Sequence, residues 1–303
     1  MCIRDSFIGV EANSKDTDYF GTLHVHLFNN EGDEIRHVAA FDSIGMAIED
    51  TTLYFRDVSY RKDAVIDLDG DGFKEVVLYF VDRLYFPSGV TVFSVKDEVA
   101  QTFIHAGHIQ QMIVDDYDDD GLSDIVVAAE CSRTDNSVLI VLDPRHIQGS
   151  SPPLDWVKFP GYEQNVAKYL ILAPKSVVFD AQYGVERNYV ERPNIRTLFV
   201  TENDRVQIGV CEWNMCNTCA VLLYTFGPDW RCTEVGTTEP YDQEFDRLKK
   251  DGHKQLRGIT KNEYLESLKS GFRYLDGKAF IAGPVMNSDY RELMEIHAKQ
   301  AAM

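Results

Sequence analysis

The sequence contains no apolar run approaching the roughly 18 residues that a membrane-spanning helix requires. The longest runs, such as Val76–Val81 and Val138–Leu142, stop far short of that length, so no transmembrane helix is expected in this segment. Local catalytic signatures are missing too. There is no GxSxG, HExxH, P-loop or GxGxxG, which removes the enzyme classes that announce themselves in a short motif. Positive charge is scarce: 30 Lys and Arg face 49 Asp and Glu, for a formal charge of -19. Such a chain repels phosphate backbones rather than releasing their counterions, so nucleic acid is a poor partner and a divalent cation a good one. The 303 residues, 44% of them apolar, are enough for at least one full core.

Two segments in the first half superpose at a blade-sized period. One reads Asp67-Leu68-Asp69-Gly70-Asp71-Gly72-Phe73-Lys74-Glu75 and runs into Val76–Phe80. The other reads Asp116-Tyr117-Asp118-Asp119-Asp120-Gly121-Leu122-Ser123-Asp124 and runs into Ile125–Ala129. Each apolar run leads through a polar turn, Asp82–Gly89 or Glu130–Ser137, to a second β-branched run, Val90–Val95 or Val138–Leu142. The unit is loop, strand, turn, strand. Phe7–Glu11 and Gly21–Leu27 repeat the strand pair without the loop and are read as a third, decapitated copy.

Both loops place acids at relative positions 1, 3, 5 and 9 and glycine at position 6. Calcium takes about 6–8 oxygen ligands, and carboxylates alternating around a tight turn supply them. The glycine, Gly72 or Gly121, suits a turn residue with positive φ, and position 7, Phe73 or Leu122, would add its backbone carbonyl. An EF-hand would need Glu at position 12, where Leu78 and Val127 stand inside strand-like runs. Four acids in nine residues, twice over, repel one another unless a cation offsets them.

These residues resemble the FG-GAP/VCBS-type repeats of integrin-like β-propellers, whose blades carry a DxDxDGxxD calcium loop between strands; the resemblance covers Phe7–Pro153. It implies one calcium ion at Asp67, Asp69, Asp71 and Glu75 and another at Asp116, Asp118, Asp120 and Asp124, with a structural rather than catalytic role. Glu75 departs from the usual Asp at position 9. The implied fold is mainly β: a partial or open array of propeller-type repeats, then a smaller α+β C-terminal region. Residues 1–6 resemble the translation of a sequencing-library adapter, which implies a metagenomic fragment whose native start lies upstream. The expected divisions are 1–6, repeats over 7–153, a mainly β extension over 154–235 and a helical region over 236–303.

In the second half, Tyr169–Leu172, Thr197–Thr201, Arg205–Cys211 and Ala220–Phe226 read as strands, with a turn over Trp213–Thr218. Tyr241–Lys250 reads as an amphipathic helix. Thr260–Glu263 is a capping-box sequence opening a helix through Ser270, and Ser288–Ala301 is a final helix. Cys211, Cys216, Cys219 and Cys232 offer three readings: a zinc site with His253 as a further ligand, a disulfide, or free thiols. His24 with His26, and His105 with His108, are read as surface or strand-edge histidines ahead of metal or substrate sites.

The function expected is a calcium-stabilised, noncatalytic module binding a protein or glycan partner outside the cytoplasm, at the periplasm, cell surface or beyond. Recognition is expected in the turns between paired strands, with Tyr85, Phe86 and Arg133 as contact residues. The alternatives are a polysaccharide hydrolase or lyase on a propeller face, and the ectodomain of an anchored sensor.

Overall fold

The computed structural model describes residues 7–13, 22–28, 31–41, 44–48, 51–55, 58–82, 86–118, 120–132, 134, 136–152, 157–183, 194–215 and 218–301. The fold is mainly β, with 48% strand and 19% helix. It divides into two compact units, one of residues 1–109 and 142–167, the other of residues 110–141 and 168–303.

The first unit begins with β1 (Phe7–Asn13), β2 (Thr22–Phe28) and β3 (Glu34–Phe41), an antiparallel meander. A hairpin of β4 (Ile44–Ile48) and β5 (Thr51–Phe55) follows. Next come β6 (Val58–Ile66), β7 (Glu75–Asp82), β8 (Ser88–Ser94) and β9 (Val99–His105), paired antiparallel in chain order. All eight residues of β7 are buried, which is why it reads as an uninterrupted apolar run and not as an alternation. On one face Val76, Leu78 and Phe80 join Ile44, Phe93, Ile104 and Phe159 in the core of this unit.

Two close approaches pin the register of this sheet. Thr91 lies opposite Thr102, and their buried hydroxyls are 3.0 Å apart, so each satisfies the other. A Cβ on Gly89 would sit 2.5 Å from both the Phe103 carbonyl oxygen and Phe80 Cζ. Gly89→Ala is therefore expected to lower stability by about 1–3 kcal/mol through overpacking, read as a lower melting temperature. An unchanged melting curve would show that both the Phe80 ring and the Phe103 backbone give way at little cost.

The six-stranded sheet carries β10 (Gly107–Asp115), β11 (Asp124–Cys131) and β12 (Asn136–Leu142). Two short strands, β13 (Gly149–Ser150) and β14 (Val157–Lys158), return to the first unit, where β13 pairs parallel with β9 and β14 antiparallel with β4. The chain then enters β15 (Ala167–Leu172), which extends the six-stranded sheet in the order β10-β11-β12-β15. After α1 (Val177–Tyr183) come β16 (Asn194–Val200), β17 (Val206–Met215), β18 (Thr218–Phe226) and β19 (Cys232–Thr237), a second antiparallel meander. Two helices follow, α2 (Glu239–Lys250) and α3 (Lys261–Lys269). The chain closes with β20 (Arg273–Asp276), β21 (Ala279–Ala282) and α4 (Ser288–Ala301).

Helix α2 buries Tyr241, Phe245 and Leu248, the stripe its spacing predicts, and packs against β18. Thr260 and Glu263 form the expected capping box: the Thr260 Oγ1 accepts from Glu263 N, and the Glu263 carboxylate accepts from Thr260 N at 2.7 Å. One expectation needs correcting. Trp213–Met215 are not a turn but the end of β17, which passes a bulge at Cys211/Trp213 and keeps pairing with Thr218–Ala220. The bulge breaks the period-2 pattern that a strand reading relies on.

Candidate metal centres in two acidic loops

The first acidic loop joins β6 to β7 and the second joins β10 to β11. In each, the position-9 acid is the first residue of the following strand and is buried: Glu75 is 7% exposed and Asp124 2%. The loops also share internal hydrogen bonds. Position 1 accepts from the position-6 glycine, Gly72 N to Asp67 Oδ2 at 2.9 Å and Gly121 N to Asp116 Oδ2 at 2.8 Å. Position 5 accepts from position 7, Phe73 N to Asp71 Oδ1 at 2.8 Å and Leu122 N to Asp120 Oδ1 at 2.9 Å. Gly72 and Gly121 have φ of 86° and 85°, and a Cβ on either would meet nothing within 4 Å. Backbone conformation, not space, demands glycine there.

Ligand atoms of Asp67, Asp69 and Asp71 lie within 4.8 Å of one another, and so do those of Asp116, Asp118 and Asp120. These are the only such clusters of three or more His, Cys, Asp or Glu among the described residues. The fit to a hard cation is good, because all donors are carboxylate oxygens and several lack other use. Asp67 Oδ1, Asp118 Oδ1 and Asp124 Oδ2 are buried without a hydrogen-bond partner. Both triads can hold a metal ion.

The position-9 acids stand outside these triads. Glu75 Oε2 accepts from Leu68 N at 3.0 Å and so braces its own loop. Burial, with repulsion from Asp69, Asp71 and Asp67, pushes its pKa up against that bond. Asp124 Oδ1 accepts from Lys168 Nζ at 3.1 Å. Burial drives the Asp124 carboxyl up to about 7, opposed by the Lys168 ammonium and reinforced by Asp118 and Asp120. Burial opposes the charge on Lys168, but its bonds to Asp118 and Asp124 prevail and raise its pKa. Beside the first loop a cleft of 380 Å³ opens between Asp69, Glu75, Asp97, Gln101 and Arg145.

Among the cysteines, Cys211 and Cys219 form a disulfide with their Cα atoms 5.9 Å apart, while Cys131 and Cys232 are buried thiols. Two sulfurs of the zinc reading are thus bonded to each other; Cys216 lies outside the described residues. Cys232 Sγ donates to Glu234 O at 3.4 Å. His105 is fully buried on β9, which pairs on both sides, so it is not the surface or strand-edge histidine expected; its Nδ1 lies 3.0 Å from Ser151 Oγ, and His108 is half-buried. His26 pairs with Glu34 at 3.3 Å, and the His24 side chain lies outside the described residues. Phe86 is half-buried and packs on the first unit's core, whereas Tyr85 and Arg133 lie outside the described residues. The residue that local sequence reading missed is Lys168, fifty positions from Asp118. Comparison with known proteins finds no match for this chain, whether among family models, curated proteins or solved structures.

Proposed function

We propose that this chain is a noncatalytic β-repeat module, stabilised by calcium in its two acidic loops, that binds a protein or glycan partner outside the cytoplasm. The observation that carries the reading is the pair of Asp triads, set by the same internal hydrogen bonds at the same place relative to the following strand. Calcium suits these loops better than magnesium, because it tolerates irregular six- to eightfold oxygen coordination and sheds water more readily. Each loop joins the first two strands of a four-strand run, β6-β7-β8-β9 or β10-β11-β12-β15. That arrangement supports blade-like repeats of the FG-GAP/VCBS type. A closed ring takes about 4–8 blades, so the array is proposed as open or as part of a longer propeller. The Cys211–Cys219 disulfide supports an oxidising compartment.

Partner recognition is assigned to the turns between paired strands that carry Tyr85 and Arg133; Phe86 is given to the core. Titrating metal-free protein with calcium in a calorimeter is expected to reveal two sites, with Asp69→Ala and Asp118→Ala each removing one. Metal-free protein that takes up no calcium at millimolar concentration ends the proposal.

A further inference from the structure

The two loops share a motif but not a counter-ion. In the second loop the Lys168 ammonium lies 2.7 Å from Asp118 Oδ2, 3.1 Å from Asp124 Oδ1 and 3.6 Å from Asp120 Oδ2. Its three N–H donors thus face three of the four motif acids, and the side chain is only 9% exposed. The fold delivers it there: Lys168 lies at the start of β15, and its carbonyl accepts from Asn287 N at 3.1 Å. In the first loop the corresponding cation is Lys96, which reaches only Asp71, at 2.6 Å. Lys96 is 45% exposed and lies over the Phe73 ring, at the rim of its loop.

We infer that Lys168 is a built-in counter-ion that competes with calcium for the second loop, so that the first loop fills at lower calcium and the second only when the ammonium is displaced. This rests on the calcium reading above and adds an order of filling to it. Two cations cannot share three carboxylates at such short range without strong mutual repulsion. A calcium ion entering between Asp118 and Asp120 must therefore push Nζ aside or accept fewer oxygens. The first loop exacts no such displacement, because Lys96 can swing into water and leave Asp67 and Asp69 untouched. Asp124 Oδ2 and Asp118 Oδ1, buried and without hydrogen-bond partners, are the oxygens a displacing ion would gain.

Four variants separate this idea from the calcium reading. Calcium titrations of Asp118→Ala report the first loop alone, and those of Asp69→Ala the second. The second loop is expected to bind at least tenfold more weakly. Lys168→Met should raise its affinity at least tenfold and make its melting temperature strongly calcium-dependent, while Lys168→Arg keeps the weak site. If Lys168→Met does not fold, the comparison of Asp69→Ala with Asp118→Ala still decides. Equal affinities at the two loops overturn the competition and leave the calcium reading standing. Absence of calcium binding at both loops in every variant overturns the calcium reading itself.

Discussion

Glu212→Gln should melt on the order of 10 °C above the wild type near pH 8.5, and the gap should close near pH 5. Glu212 lies on β17 and is completely buried. Its Oε2 accepts from Ser176 Oγ at 2.9 Å, while Oε1 is buried without a partner. The same Ser176 oxygen accepts from Val178 N and Phe179 N in the first turn of α1, so one hydroxyl ties the helix to the strand. Burial pushes the Glu212 carboxyl up to about 8 from 4.5; the Ser176 bonds oppose this and the Asp180 charge adds to it. Below the unfolded pKa both states hold the proton, and the site costs nothing. Between about 4.5 and 8 the unfolded chain has released its proton and the folded one has not, so stability falls by about 1.4 kcal/mol per pH unit. The accumulated loss is on the order of 5 kcal/mol, and a neutral amide of the same shape avoids it. Melting curves of the two proteins across this range measure the difference directly. Parallel curves would mean that Glu212 is charged in the fold with a compensating partner.

What was legible in the sequence was local. The acidic loops stand out because alternate carboxylates around a left-handed glycine have few other uses, and the runs at Val76 and Ile125 are fully buried strands. The helices declared themselves through the Tyr241, Phe245, Leu248 stripe and the Thr260–Glu263 box. Long-range contacts left no such trace. Lys168 is a lone charge beside the apolar run Tyr169–Leu172 until β15 sets it against Asp118 and Asp124, and Glu212 falls between the strand read over Arg205–Cys211 and the turn read over Trp213–Thr218, with nothing local to mark its bond to Ser176. Helix α1 begins with Val177-Val178, poor helix formers whose burial holds them. The disulfide stayed open because the spacing of Cys211, Cys216 and Cys219 admits several pairings; it is settled by the β17/β18 pairing, in which Cys211 faces Val221, two residues from Cys219, and the Cα atoms of the two cysteines lie 5.9 Å apart.

Calcium should raise the melting temperature of the first unit by roughly 10 °C at millimolar concentration, with magnesium giving a small fraction of that. An ion bound by the folded state alone stabilises it by about 2.7 kcal/mol once its concentration is a hundred times the dissociation constant. Loops of this kind reach that regime if the constant is near 10 µM, tighter than typical extracellular modules. The energy is available because the metal-free loop holds three carboxylates within 4.8 Å, with Asp67 Oδ1 buried and unpartnered, and Lys96 offsets only Asp71. Calcium relieves that repulsion at the point where β6 hands over to β7, the strand whose burial on both faces anchors the unit. Magnesium needs a near-octahedral shell and keeps its waters, so it leaves part of the repulsion in place. Asp69→Ala should abolish the calcium shift at this loop while changing the metal-free melting temperature little, since it removes one repelling charge together with one turn hydrogen bond. A scan in which calcium and magnesium shift the transition equally, or in which Asp69→Ala keeps the full shift, would show that the ions act on the -19 charge of the whole chain and not on the loop.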